Sequence, residues 1–85
     1  MTTGKEIVNK MQETLTREER CSNRITRGLR ALEARCYPVA KQAAELALTD
    51  CEWIEQRMAA LSIIMIAELK DDKVTETFLA SAYDI

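Results

Sequence analysis

The chain has 85 residues, a formal net charge of −2 and no histidine. A chain of this length forms one domain, here residues 1–85, and it buries only about 60–65% of its unfolded surface, so oligomerisation, a metal or disulfides usually support such a fold. The absence of histidine excludes His-ligated metal sites and removes the commonest general base, and the longest apolar run is too short to span a membrane.

The composition predicts an all-α fold. Ala, Leu, Glu and Arg are frequent, whereas the whole chain holds only two glycines, one proline and few aromatic residues. A β-sandwich or barrel needs more turn residues and more β-branched alternation than this. The polar N-terminus shows helix-start signals and not those of a signal peptide, and we expect a cytoplasmic protein.

The first apolar pattern predicts a long helix over about residues 4–35. Apolar side chains recur along it at a spacing of three and four residues, which places them on one face of a helix. They include Val8, Met11, Leu15, Ile25, Leu29 and Leu32, and two polar residues, Glu18 and Ser22, interrupt the pattern. Thr16 and Glu19 have the T-x-x-E spacing of a capping box, so a break at 15–16 is the alternative. The continuous helix is favoured because no Gly or Pro lies between residues 12 and 20.

Gly28 lies on the apolar side of this predicted helix. Glycine in a helix interior costs about 1 kcal/mol in propensity relative to alanine. It is either simply tolerated here, or it marks the close approach of another helix, since glycine has no side chain to hold a neighbour away.

A second long helix is predicted over residues 38–70. Pro38 suits the first turn of a helix and pushes the preceding residue out of the helical region, which places a tight turn at 36–37. A third T-x-x-E, Thr49 to Glu52, predicts a kink or short break near 49. The polar turn at 70–73 then precedes a short C-terminal helix ending near Tyr83, and Asp71 or Asp72 can cap that helix.

The stretch Met58–Leu69 organises the predicted fold. Eight of the nine side chains from Ala59 to Ala67 are apolar, and a helix that is apolar on most of its circumference must be covered on most of it. A hairpin of two long helices plus a short C-terminal helix cannot cover it all, so we expect a homodimer that completes a helical bundle. The candidate self-association residues are Trp53, Met58, Leu61, Ile63, Ile64, Met65 and Ile66.

Five arginines recur on one broad face of the first predicted helix, away from its apolar side: Arg17, Arg20, Arg24, Arg27 and Arg30. Arginine forms planar, bidentate pairs with carboxylates and phosphates. Residues 1–37 carry a net charge of +3 and residues 38–85 carry −5. The arginines are therefore solvated, paired with the acidic half of the chain or of a second copy, or directed at an acidic protein partner. Nucleic acid is a weaker alternative, because the chain is acidic overall.

Cys21, Cys36 and Cys51 lack the close pairs of a zinc site. They are predicted to be free thiols in a reducing cytosol, with Cys21 and Cys36 packed as small apolar residues. An intermolecular or regulatory disulfide is the alternative. A catalytic thiol is disfavoured because no histidine is present to activate it, and phosphate-binding glycine loops and nucleophile elbows are absent.

The function expected from these patterns is non-enzymatic and needs no cofactor. We expect a small protein-interaction module, such as a regulator, inhibitor, adaptor or chaperone, that presents a helical surface to an unidentified protein partner, possibly an acidic one. The alternative is a nucleic-acid-binding regulator that uses the arginine face. Small autonomous helical proteins of this kind are frequent in bacteria and their phages, which is the origin that we expect.

Overall fold

A computed structural model describes residues 16–83, and within this range the chain forms four α-helices and no strand. They are α1 (Arg17–Glu33), α2 (Tyr37–Asp50), α3 (Ile54–Leu69) and α4 (Asp72–Tyr83). The predicted all-α class is confirmed. The predicted hairpin of two long helices is not, because the second long helix is divided into α2 and α3.

Thr16 begins the first described helix as its N-cap. Its backbone is extended, with ψ of 156°, and its hydroxyl oxygen accepts a hydrogen bond of 3.1 Å from the backbone N–H of Glu19. The favoured continuous helix through this position is wrong, because a side-chain cap satisfies an N–H group that a continuing helix would bond to the preceding turn. The alternative start at Arg17 is the correct one, and the part of the prediction over residues 4–15 lies outside the described residues.

The turn between α1 and α2 lies at residues 34–36, slightly before the predicted 36–37, and α2 begins at Tyr37 and not at Pro38. Arg35 takes a left-handed conformation with φ of 59°, and the N–H of Cys36 donates to the carbonyl of Ala31 at 2.8 Å. Pro38 then lies in the first turn of α2. This turn reverses the chain within a few residues, so α2 packs along α1.

The break predicted near 49 lies at residues 51–53 instead. Cys51 and Trp53 have extended backbones, with ψ of 121° and 136°. Thr49 stays within α2, where its hydroxyl donates to the carbonyl of Leu46 at 2.6 Å. Nη1 of Arg57 donates to the carbonyls of Leu48 at 3.2 Å and Cys51 at 3.1 Å, and so satisfies groups that the end of α2 leaves without a helical partner.

The turn between α3 and α4 is capped as predicted, by Asp71. Its Oδ1 accepts hydrogen bonds from the backbone N–H groups of Lys73 at 2.9 Å and Val74 at 3.1 Å. The hydroxyl oxygens of Tyr37 and the fully buried Thr75 lie 3.1 Å apart, within hydrogen-bond distance. This contact attaches α4 to the start of α2.

The core is built largely from small side chains. Four buried alanines line α2, namely Ala40, Ala43, Ala44 and Ala47, and the largest fully buried apolar side chains are Leu32 and Ile63. A Cβ added at Gly28 would lie 3.3 Å from two side-chain carbons of Ile63 and 3.6 Å from the carbonyl oxygen of Ala40. Gly28 thus marks the close approach of α2 and α3 to α1, the sharper of its two interpretations.

A disulfide between Cys21 and Cys51 joins α1 to the end of α2, with the two Cα atoms 5.2 Å apart. Both residues are buried. The prediction of free thiols is wrong for this pair, because the fold brings together two cysteines that lie 30 residues apart in sequence. Cys36 is a free cysteine and is exposed, not packed in the core as predicted.

We predict that Gly28→Ala lowers the free energy of unfolding by roughly 1 kcal/mol, because an overpacking cost of about 1–3 kcal/mol exceeds the gain of about 1 kcal/mol in helix propensity. In an Ile63→Ala background the same change should raise it, since the added methyl group then enters vacated space. Chemical denaturation of the four variants measures both effects. Equal effects in the two backgrounds would show that Ile63 does not constrain position 28.

We predict that breaking the disulfide lowers the free energy of unfolding by about 3–4 kcal/mol, the value for a closed loop of this length. Cys21→Ser with Cys51→Ser, compared with Cys36→Ser, measures this by denaturation. The oxidised protein unfolded in denaturant should titrate one thiol, that of Cys36, and the reduced protein all three cysteines. Three thiols in the oxidised, unfolded protein would contradict the pairing.

Candidate interaction surfaces

A continuous apolar surface runs along the outer side of α3. It consists of five large side chains spaced by four, three, four and four residues, and we call it the α3 stripe: Ile54, Met58, Leu61, Met65 and Leu69. Each is between 48% and 73% exposed. At a rise of 1.5 Å per residue the stripe is about 22 Å long. Single exposed apolar residues are ordinary, whereas a contiguous apolar patch usually marks a binding surface.

The residues predicted for self-association divide into three groups. Trp53, Met58, Leu61 and Met65 are exposed, and Trp53 directly precedes the stripe. Ile64 and Ile66 are half-buried and pack against the core of the same chain. Ile63 is fully buried beneath Gly28, so it holds a single chain together and is inaccessible to a second one.

Ile54 and Leu69 extend the α3 stripe at its two ends, although the predicted self-association set omits them. The signal that finds them is the spacing of three and four residues, which continues in both directions from Met58, Leu61 and Met65. The sequence does place Ile54 and Leu69 on one predicted stripe with Met58, Leu61 and Met65, but the self-association set left both out and included the core residue Ile63.

Three of the five predicted partner-binding arginines pair with the end of α2 in the same chain. Arg17 forms an ion pair of 2.6 Å with Glu52, and Arg24 forms a short ion pair with Asp50. Arg20 also approaches Asp50, at 3.6 Å. The side chain of Asp50 is only 15% exposed, so its charge depends on these arginines for compensation, and the pairs join α1 to the end of α2.

Arg24 and Arg17 also hold the carbonyls that end α2. Nη1 of Arg24 donates to the carbonyl of Leu46 at 2.9 Å, and Nη2 of Arg17 donates to that of Thr49 at 3.3 Å. The two arginines place positive charge at the negative end of the helix dipole, and Arg17 also bonds a last-turn carbonyl that has no helical partner. Of the roles predicted for the arginines, Arg17 and Arg24 therefore have the one in which they pair with the acidic half of the same chain.

Arg27 and Arg30, by contrast, are exposed and make no ion pair among residues 16–83. An open groove on α1 is lined by Arg20, Asn23, Arg24 and Arg27. The predicted arginine face therefore separates into a structural part next to α2 and a smaller, solvent-facing part around Arg27.

In the part of the chain that the structure describes, no three cysteine or carboxylate side chains are grouped to hold a metal ion, and no helix is long and apolar enough to cross a membrane. Burial, then the charge of Glu33, raises the pKa of Tyr83 above its ordinary value of 10.0.

We predict that Arg24→Gln lowers the free energy of unfolding by about 1–3 kcal/mol, because it leaves the mostly buried Asp50 without its closest charged partner. Arg27→Gln is the matched control on the same helix and should change stability by less than about 0.5 kcal/mol. Chemical denaturation measures both. Equal effects of the two substitutions would contradict a structural role for the Arg24–Asp50 pair.

Comparison with known proteins found no match for this chain: no protein-family model, no curated protein and no solved structure.

Proposed function

We propose that this chain is a small, non-enzymatic protein-interaction module that acts by presenting α3 to an apolar surface of a protein partner. The observation that carries the proposal is the α3 stripe, whose five large apolar side chains are at least 48% exposed in the single chain. Burying such side chains is favourable at roughly 25 cal/mol per Å². A helix with an apolar face of this kind docks against another helix or into an apolar groove.

The polar surroundings of the stripe favour a protein as its occupant. Arg57 and Glu68 lie on one side of it, and Glu55 lies on the other, all three exposed. An apolar centre with a charged rim is the usual anatomy of a protein–protein interface. The rim carries both signs of charge, so it favours no strongly basic or acidic partner.

The proposal includes self-association, in which α3 helices of two chains complete a helical bundle. A single chain of this size has little apolar surface to bury, and its core consists mainly of alanines. Covering the stripe would add the large apolar contacts that the core lacks. A regulator, inhibitor, adaptor or chaperone could each use such a surface.

A cytoplasmic location stays a prediction. It rested on two expectations, an N-terminus without signal-peptide features and free thiols, and the fold removes the second. The prediction relied partly on free thiols, but Cys21 and Cys51 form a disulfide. Disulfides form and persist mainly in oxidising compartments. A periplasmic or extracellular location therefore fits this pair better.

Nucleic-acid binding is the second candidate, and the groove around Arg27 is the observation that favours it. Arg27 and Arg30 are exposed, and Arg27 lines this groove together with Arg20 and Arg24. However, Arg17, Arg20 and Arg24 already face Asp50 and Glu52, so few positive charges remain for phosphates. We therefore place protein binding first.

We predict that Met58→Glu with Met65→Glu abolishes capture of partner proteins from a lysate of the organism that encodes the chain. Arg27→Gln with Arg30→Gln is the control and should capture the same proteins as the unchanged chain. Circular dichroism verifies that both variants fold. Loss of capture by the arginine variant alone, together with retention of the unchanged chain on DNA at low salt that weakens steeply with added salt, would move the function to the arginines.

A further inference from the structure

We propose that the occupant of the α3 stripe is the α3 stripe of a second copy, which runs antiparallel to the first across a two-fold axis near Leu61. This inference rests on the proposed function, since it identifies the partner of the same surface. It is carried by two independent properties of α3, the order of the apolar side chains along the stripe and the position of the charges beside it.

The stripe reads almost the same in both directions. Each end is a branched aliphatic residue, Ile54 or Leu69. A methionine, Met58 or Met65, follows inward from each end, and Leu61 lies at the centre. In a two-fold interface each contact between two different residues occurs twice with the roles exchanged, so the surface must complement itself. Antiparallel alignment places Ile54 against Leu69, Met58 against Met65, and Leu61 beside its own copy. Side chains of similar volume then face each other at every level.

The charges beside the stripe complement themselves in the same alignment. Arg57 contacts the carbonyl of Leu48 and Glu68 forms an ion pair of 3.3 Å with Lys41, so both flank the stripe on the side of α2. A two-fold axis perpendicular to the helices brings these two flanks together. Arg57 of one copy then lies within about 3 Å, measured along the helix axis, of Glu68 of the other.

Parallel alignment lacks this complementarity. Arg57 and Glu68 are 11 residues apart in the chain, so in a parallel pair in register they stay about 16 Å apart along the axis. Each copy of Glu68 would then have no arginine of the other copy at its own level. The antiparallel arrangement gives two equivalent ion pairs, one at each end of the interface.

The side chains of Arg57 and Glu68 can each form one more polar contact, with a second copy. Nη1 of Arg57 is used by the carbonyls of Leu48 and Cys51, but a guanidinium has five N–H donors. Glu68 has two oxygens, of which Oε1 faces Lys41, and its side chain is 57% exposed. Their present contacts hold both side chains beside the stripe without exhausting their hydrogen-bonding capacity.

Sedimentation equilibrium of the full chain tests the dimer, with the Met58→Glu/Met65→Glu variant as its monomeric control. We expect the unchanged chain to dimerise at micromolar concentration and the control to sediment as a monomer of 9.7 kDa. Exchanging the charges tests the alignment. Glu68→Arg should weaken the dimer about tenfold, the effect of losing two exposed ion pairs, and adding Arg57→Glu to it should restore most of the affinity.

Cysteine cross-linking provides a second measurement that does not depend on the ion pairs. In a Cys36→Ser background, Leu61→Cys should form a disulfide with its own copy under mild oxidation. Met58→Cys and Met65→Cys should each fail to do so alone but should cross-link when mixed. The reason is that each of these residues lies about 10 Å, measured along the helix axis, from the same residue of the other copy. Cross-linking of all three variants with themselves would overturn the antiparallel arrangement.

A monomer at concentrations up to hundreds of micromolar would overturn the inference altogether. That result leaves the proposed function distinguishable, because the lysate experiment has its own outcome. Capture that depends on Met58 and Met65 would then identify a different protein as the occupant of the stripe. A chain that neither dimerises nor captures any protein would overturn both proposals.

Discussion

The structure depends on the attachment of α1 to the C-terminal end of α2. The Cys21–Cys51 disulfide forms this attachment covalently, and the pairing of Arg24 with Asp50 stabilises it beside the disulfide. Both fix the point at which the chain leaves α2 and turns into α3. A core made mainly of alanines buries little apolar surface, so a link that restricts the unfolded chain has a large share in the stability of the fold.

The orientation of α3 follows from this link and from the close contact at Gly28. Ile63 packs against Gly28 on one side of α3, and this contact turns the opposite side, with Met58, Leu61 and Met65, toward solvent. The apolar surface of α3 is therefore a consequence of how the core is packed. A methyl group in place of the hydrogen of Gly28 would lie 3.3 Å from two carbons of Ile63 and would press on the residue that anchors the buried side of α3.

Much of the candidate site could be predicted from the sequence. Which of its residues hold the fold together and which face solvent could not. The nearly unbroken apolar run from Ala59 to Ala67 identified α3 as the helix most in need of cover, and Met58, Leu61 and Met65 are indeed exposed. The arginine pattern indicated a surface for a partner, yet Arg17 and Arg24 are used to hold α2. Periodicity assigns residues to a face of a helix, but it does not state which element lies against that face.

The sequence by itself determined the helical class, the turn before Pro38 and a cap at Asp71 or Asp72, because these depend on residues close together in the chain. Only the tertiary structure decided the disulfide and the roles of the arginines, since these join positions 26 to 35 residues apart. It also decided that α3 has a buried side through Ile63 and an exposed side through Met65. Local patterns predict where a helix is apolar, whereas the packing of its neighbours determines which part remains uncovered.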